Sequence, residues 1–365
     1  MAEKPKNTTT DTRWYSSAKQ ATTEFVISTA NQLAGLAAIV NGSWGGERDD
    51  FAGKSVKLAA NIDLSAYANW IPIGNHAIDE ANVFAGTFDG CGHVISKLTI
   101  NRPEKHRQGL FGRISGGKVR NLGVDGVNIK GYTSVGGIVG GADSYSSVSN
   151  CYSAGTVSGI RCVGGIAGGV SDNSGIANCY SAAAVSGIDK AGGIAGRVCD
   201  NSRVVDCAAL NPAVSTSGDK AGRVVGEIED VRDDALENNV AASMMINKAG
   251  NTAWKNKSAE AADGRDISTA TVKKDITVGG RFAESNGWMA GSGTLPKFKA
   301  VADTHIPEKN FPGSTPEQAM RLEDKYAKLL EKLLPVTDLY SDSGVPVRYI
   351  INRPARQEPE QDVQQ

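Results

Sequence analysis

Three nearly identical glycine boxes decide the fold of this chain: GGIVGG at 136–141, GGIAGG at 164–169 and GGIAGR at 192–197. The boxes follow one another at a constant spacing. An earlier copy, GLFG at 109–112, keeps this spacing, and a degraded copy, RVVG at 223–226, follows slightly later than the spacing requires. A fixed period of about 28 residues indicates a solenoid, in which each repeat is one coil stacked on its neighbours.

The segments between the boxes show which kind of solenoid to expect. They read VSNCYSAGTVSG at 148–159 and IANCYSAAAVSG at 176–187. Short pieces of β-branched and small residues alternate there with polar residues, and no helical spacing of apolar residues is present. The pattern predicts an all-β protein, a right-handed parallel β-helix with about 28 residues per coil. It would extend over residues 51–300, with its most regular part at 109–226.

Stacking of coils turns equivalent sequence positions into columns about 4.8 Å apart. One column consists of Asn121, Asn150, Asn178 and Asp206, with Asn238 as a further candidate. Side chains of this type can hydrogen-bond the turn backbone of neighbouring coils. The next column contains Cys151, Cys179 and Cys207. We expect these cysteines to be buried, reduced and stacked, because parallel Cβ vectors give poor disulfide geometry.

The boxes and the NCYSAGTVSG and NCYSAAAVSG segments resemble the GLUG motif repeats of bacterial surface adhesins and some secreted proteases. Residues 24–42, 55–74 and 84–100 resemble the segment that usually precedes such repeats, and GTLPKF at 293–298 resembles a common close. The resemblance covers roughly residues 14–300. It implies a secreted β-helix and transfers no catalytic residues. Arg223 departs from the pattern, since it stands where the box has glycine.

The regions around the solenoid divide as follows: 1–13 a flexible arm, 14–50 an N-terminal cap, 301–315 a linker, and 316–365 a C-terminal appendage of helix, strand and polar tail. In the cap, Ser28 or Thr29 is a helix N-cap followed by Gln32, and Asn41 with Gly42 ends the helix. Residues just beyond the cap, including Ile71, are candidates for the first core positions.

The C-terminal appendage has an amphipathic helix at 316–334 and a strand-like segment at 345–352. The apolar stripe of the helix is predicted to dock on a protein surface; its members include Met320, Leu322, Tyr326, Leu329, Leu330 and Leu333. The strand would add to an exposed sheet edge. A protein partner, a second copy of the chain or a larger assembly would supply that surface, although the appendage could instead seal the last coils.

Candidate metal ligands are sparse. Asp172 and Asp200 are one repeat period apart and would lie on adjacent coils, where calcium could relieve their repulsion. The ordinary alternative is a solvated turn, and no glycine-rich calcium repeat is present. No Cys/His spacing indicates zinc. We therefore expect no cofactor, with calcium as the one weak candidate.

Charge and hydropathy exclude several function classes. The 365 residues carry a net charge of −1, which argues against a nucleic-acid partner held through phosphates. No apolar run is long enough to span a membrane. Residues 1–13 lack the apolar core of a signal peptide. Either a leader has been removed, or the protein leaves its cell by another route, such as lysis with a phage particle.

Three functions remain open. The leading hypothesis is a non-enzymatic adhesion or interaction module on a bacterial surface, which displays a binding face for a glycan, a protein or a host surface. The alternative is a structural or receptor-binding component of a phage or contractile injection particle, located in the virion. A third alternative is a polysaccharide-active enzyme. It is the weakest of the three, because the coils at 130–226 are poor in the acidic residues and histidines that such catalysis needs.

Overall fold

The computed structural model describes residues 10–16, 22–77, 80–275, 277–286, 288, 295–296, 339–340 and 346–347. The chain forms two compact units, residues 1–324 and residues 325–365. The first unit is a parallel β-solenoid of about eight turns with about 28 residues per coil, which confirms the predicted fold class.

Three parallel sheets run along the described solenoid. The long sheet has sixteen strands, and its main path is β1 (Glu24–Ile27), β2 (Ser55–Leu58), β6 (Thr87–Asp89), β10 (Lys118–Lys130), β13 (Ser147–Ser158), β17 (Tyr180–Gly187), β21 (Ala208–Ala209), β26 (Val240–Ala242) and β27 (Arg265–Ile267). Its remaining strands are β3 (Ile62–Asp63), β7 (Val94–Ser96), β8 (Thr99–Asn101), β16 (Gly175–Ala177), β20 (Arg203–Val205), β22 (Val214–Thr216) and β25 (Leu236–Glu237).

The two shorter sheets complete each coil. The four-stranded sheet contains β11 (Thr133–Gly136), β14 (Arg161–Gly164), β18 (Asp189–Gly192) and β23 (Ala221–Gly222). The five-stranded sheet contains β9 (Phe111–Ser115), β12 (Val139–Asp143), β15 (Ala167–Val170), β19 (Ala195–Cys199) and β24 (Val225–Glu229). A small antiparallel pair, β4 (His76–Ala77) and β5 (Glu80–Ala81), lies outside these sheets.

The glycine boxes form the corners between the four-stranded and five-stranded sheets. Their central residues point into the solenoid and are fully buried: Ile138, Ile166, Ile194 and Val224. Pairing such as Val139 with Ala167 advances by one sequence repeat from coil to coil. The repeat period in the sequence is therefore the coil itself, and its apolar columns make up the core.

Helices α1 (Arg13–Ser16) and α2 (Ala30–Val40) lie near the start of the solenoid. The hydroxyl of Thr29 accepts from the backbone N–H of Gln32 at 3.2 Å, and Gln32 Oε1 accepts from the backbone N–H of Ser28 at 2.8 Å. These two bonds hold the first turn of α2. Its residues 33–40 are buried, most of them in the main core, so the helix belongs to the solenoid.

One predicted core position is wrong. Ile71 is 49% exposed, while the nearby Trp70 and Ile73 are buried. The segment around Ile71 lies outside the named strands, and Trp70 points inward, where its indole N–H donates to the carbonyl of Leu110 at 3.2 Å.

After β27 the chain leaves the coil and runs along its outer side. The described part of 269–296, here called the lateral segment, begins with α3 (Thr269–Lys274) and includes a 3₁₀ turn at Glu284–Asn286. Its apolar side chains form a second core with the long sheet; the members are Val272, Val278, Phe282, Trp288 and Leu295 on the segment, and Tyr152, Tyr180, Leu210 and Val240 among those on the coils. The two tyrosine rings are stacked with centroids 5.0 Å apart.

Arg223 is fully buried and closes the last regular coil. It occupies the position that glycine holds in the preceding boxes. Its guanidinium donates to the carbonyls of Gly264 at 2.7 Å and Asp263 at 2.9 Å, and to that of Ala242 at 3.3 Å. The column nevertheless continues through it, because Val225 pairs with Ala195 in the expected register.

In the second unit the structure describes one antiparallel pair, β28 (Leu339–Tyr340) with β29 (Pro346–Val347). The predicted strand at 345–352 thus includes two residues that pair with a neighbouring segment of the same chain. The predicted helix at 316–334, with the docking residues from Met320 to Leu333, lies outside the described residues.

Candidate functional site

A cavity of about 130 Å³ lies on the coils, between residues of the four-stranded and five-stranded sheets. It is here called the trough. Its lining includes Arg107, Ser134, Gly141, Asp143, Gly169 and Arg197. These residues come from successive turns, so stacking alone brings them together.

One column of the five-stranded sheet sets the shape of the trough. Gly141 pairs with Arg113 on the preceding coil and with Gly169 on the following coil, and Gly169 pairs with Arg197. Two coils without a side chain at this position therefore lie between two coils that carry arginine. A Cβ added at Gly169 would meet only the hydroxyl of Ser134, at 3.8 Å, so the floor of the trough has free space above it.

Asp143 anchors the arginines at one end of the trough. Arg113 binds its carboxylate through two nitrogens, at 2.7 and 3.1 Å. Arg107 reaches the same carboxylate at 3.3 Å. Burial alone would raise the pKa of Asp143, but hydrogen bonds from Arg113 and Ser115 and the charges of Arg113 and Arg107 hold that pKa below its ordinary value. The carboxylate therefore stays ionised and is shared between two cations.

Arg107 is the more available of these two cations. Its side chain is 29% exposed, and its contact with Asp143 uses one of its N–H groups. Burial, followed by the charge of Arg113, lowers the pKa of Arg107. An added anion would favour the charged form of Arg107, because it would offset the repulsion from Arg113.

A second group of charges lies at the other end. Arg197 donates to Glu229 at 2.7 Å, while Lys190 and Lys220 both pair with Glu227. Burial would raise the pKa of Glu227, but hydrogen bonds from the two lysines lower it. Cations therefore lie at both ends of the trough. The first end has two arginines and one carboxylate, and the other end has three cations and two carboxylates.

An exposed aromatic residue follows the trough lining along the chain. Tyr145 comes two positions after Asp143 and is 75% exposed. Its φ of 64° is in the left-handed region, where the equivalent corners of the next coils have Asn173 and Asn201. Asparagine tolerates this conformation, whereas a tyrosine there costs on the order of 1–3 kcal/mol.

The predicted asparagine column occupies one corner of the long sheet, with φ between 50° and 53° at Asn121, Asn150, Asn178, Asp206 and Asn238. The amide of Asn121 donates to Asp89 at 2.9 Å, and that of Asn150 donates to Asn121 at 3.3 Å. The amide of Asn178 instead donates to the carbonyl of Arg281 in the lateral segment, at 3.2 Å. These contacts link neighbouring coils and tie one corner to the lateral segment.

The cysteine column lies inside the solenoid. Cys151, Cys179 and Cys207 are fully buried free thiols. The sulfur of each lies 3.1–3.2 Å from the carbonyl oxygen two positions earlier. Burial raises the pKa of Cys179 and of Cys207 well above the ordinary thiol value. The enclosed position of all three thiols suits packing and hydrogen bonding, not nucleophilic chemistry.

The weak metal candidates lie at a corner of the coils. Asp172 and Asp200 both have a left-handed backbone, with φ of 53° and 52°. Within the described ranges, no three or more His, Cys, Asp or Glu side chains form a group that could hold a metal ion.

Sequence reasoning missed the trough, although its spacing was visible. Arg113, Gly141, Gly169 and Arg197 follow one another at the repeat period. The available signal was that this column has glycine on two coils and arginine on the coils before and after them. The signal indicates a surface cavity only if the column faces outward, and the register of the coils decides which columns do so.

Comparison with known proteins identifies the repeat. The family model described as "The GLUG motif" matches residues 131–158, which form one complete coil. The coil at 131–158 therefore carries a GLUG motif. This confirms the resemblance drawn from the boxes.

Two similar proteins extend the comparison. A segment of the chain is 40% identical over 116 residues to halomucin of Haloquadratum walsbyi, a match that covers 29% of this chain and 1% of halomucin. A solved structure from Bacteroides ovatus, described as a candidate immunoglobulin A1 protease, superposes with a TM-score of 0.58 at 20% identity. That match covers 76% of this chain and 93% of the other, and it shows a shared fold. None of the described helices has the length and apolar character that crossing a bilayer requires.

Proposed function

We propose that this GLUG-repeat protein is a non-enzymatic adhesion or interaction module that acts outside the cell and displays a binding face for a glycan or a protein. The outward column Arg113–Gly141–Gly169–Arg197 carries this proposal. Backbone pairing fixes its side chains on adjacent coils, so the surface is organised before any ligand arrives. A rigid surface of this kind loses little entropy on binding.

The charge pattern supports binding over catalysis. The carboxylates beside the trough have lowered pKa values: Asp143 is held by two arginines, and Glu227 by Lys190, Lys220 and, at 3.7 Å, Arg197. A general acid needs a raised pKa, as in glycoside hydrolysis, so neither group is suited to donate a proton near neutral pH. The buried thiols are equally unsuited to nucleophilic attack.

The similar proteins support a place outside the cell. Halomucin is named as a mucin, and the Bacteroides ovatus neighbour is described as a candidate protease of an immunoglobulin. Both names refer to molecules that work outside cells. We extend that location to this chain and assign the binding role to the face of the solenoid.

The test is binding and cleavage measured together. The full chain, fluorescently labelled, would be applied to printed glycans, immobilised mucin and immobilised immunoglobulin A1. The same ligands would be incubated with unlabelled protein and examined for fragments by mass spectrometry. We expect saturable binding without fragments. Fragments that accumulate with time would replace the proposal with an enzyme, and an absence of binding to every surface would contradict it.

A further inference from the structure

We propose that the trough binds one acidic sugar residue of a glycan chain, carrying a carboxylate or a sulfate ester. This inference rests on the proposed binding function and names its site and ligand class. It starts from a cavity that already exists, with cations at both ends and a floor without side chains.

The anion would be held by guanidinium groups. Arg107 and Arg197 both line the trough, and a planar guanidinium can bind a carboxylate or a sulfate through two parallel N–H groups. Arg113 already satisfies Asp143 with two short bonds, which leaves donors of Arg107 for a ligand. Arg197 donates to Glu229 through Nε at 3.1 Å and Nη2 at 2.7 Å, so its Nη1 is the group that would reach the anion. The charge of Arg113 beside Arg107 is a standing repulsion that a bound anion would relieve.

The rest of the lining favours a sugar ring. The hydroxyls of Ser134 and Ser171 line the cavity and can exchange hydrogen bonds with sugar hydroxyls. The exposed ring of Tyr145, two positions after the lining residue Asp143, offers an apolar face on which the C–H face of a neighbouring sugar can lie. Tyr145 is exposed and has a strained backbone at a corner where the next coils have asparagine. Ligand binding by its ring would explain why a tyrosine stands there.

An acidic peptide is the competing ligand, and the surroundings favour it less. A peptide held by backbone pairing needs a free strand edge. At the trough, β12 and β15 are paired on both sides, with β9, with each other and with β19. The cavity, of about 130 Å³, has the scale of one ring with its substituents.

Two substitutions test the site without disturbing the coil. Gly169→Gln places a side chain in the trough, and the nearest atom to its Cβ is 3.8 Å away. Gly175→Gln is the matched control, because the nearest atom to an added Cβ there is also 3.8 Å away, yet Gly175 does not line the trough. Arg107→Gln removes one cation. Circular dichroism and the melting temperature would verify that each variant is folded.

Binding would be measured by titration calorimetry of the full chain with sialyllactose, a galacturonic acid trimer, a sulfated heparin tetrasaccharide and, as a neutral probe, maltotriose. We expect at least one acidic probe to bind at least tenfold more tightly than maltotriose. Gly169→Gln and Arg107→Gln should each weaken that binding at least tenfold, and Gly175→Gln should leave it unchanged. Raising the salt concentration should weaken the binding of the acidic probe to the unsubstituted chain.

Other outcomes overturn the inference. Equal binding by Gly169→Gln and the unsubstituted chain would remove the trough from the site but leave the adhesive function standing. Tighter binding of a hexaglutamate peptide than of every acidic saccharide would replace the sugar by a peptide. If the protein binds immobilised proteins but no saccharide, the inference of an acidic sugar ligand is wrong and the proposed binding function stands. If the protein binds none of the immobilised ligands, the proposed function is wrong as well.

Discussion

Arg223→Met is the most informative perturbation of the fold, because it removes a buried cation and keeps a long side chain. Arg223 is fully buried and its guanidinium donates to three backbone carbonyls of the terminal turn. Leaving a buried acceptor unsatisfied costs about 1–3 kcal/mol. The bonds to Gly264 and Asp263, at 2.7 and 2.9 Å, are the strong ones. Its ionic partner, Asp266, is 46% exposed and can be rehydrated.

Summing the two short bonds and allowing for the apolar methionine, we expect a loss of about 2–5 kcal/mol in the stability of the last turns. A solenoid need not unfold in one step, so the effect should be local. Hydrogen exchange would show it as faster exchange at 222–226 and 262–266, with 133–170 unchanged.

Arg203→Met is the control, because that side chain is 56% exposed and pairs with Asp234 at 3.7 Å. Its removal should change stability by less than about 1 kcal/mol. The reasoning would be refuted if Arg223→Met and Arg203→Met exchanged at the same rates around 262–266, since Arg223 would then stabilise nothing that an exposed arginine does not.

The remaining predictions concern other parts of the fold. Alkylation of the native protein should label the exposed Cys91 but not Cys151, Cys179 or Cys207, which should react only after unfolding; native labelling of all three would contradict the buried cysteine column. A Cβ at Gly123 would lie 2.4 Å from a tyrosine ring, so Gly123→Ala should cost about 1–3 kcal/mol and lower the melting temperature, whereas Gly175→Ala should not. The ionised form of Asp143 stabilises the fold above the pKa of an unfolded aspartate and loses that effect as pH falls through its lowered folded pKa, so thermal scans of Asp143→Asn should show a weaker acid destabilisation below about pH 4. Deleting residues 303–365 should leave a soluble, equally heat-stable protein that loses its oligomer or partner in size-exclusion chromatography; aggregation or a much lower melting temperature would instead make this segment a cap.

Much of the fold could be predicted because the repeat is local and regular. The constant spacing of the boxes gives the coil, the central isoleucines give its inner column, and the Thr29–Gln32 pattern gives the start of α2. Each of these signals depends on neighbours along the chain or one coil away, and periodicity reports such contacts directly.

Contacts without a period could not be read in this way. The hydroxyl of Tyr180 donates to the carbonyl of Pro296, far along the chain, and nothing in the repeat indicates that contact. The buried position of Arg223 was hidden for a related reason. A charged residue in a glycine column suggests decay of the pattern, whereas here its guanidinium donates to the carbonyls of Gly264 and Asp263 in the following turn.

The lateral segment has a mechanical consequence. A plain solenoid pulled from its C-terminal end can peel away one coil at a time, since each coil is bonded chiefly to its neighbours. Here the segment after β27 turns back and is fastened to inner coils through Tyr180 and Asn178, well before the end of the stack. Tension applied at that end therefore acts first on the contacts between the lateral segment and the inner coils. The terminal turns bear the load only after those contacts break.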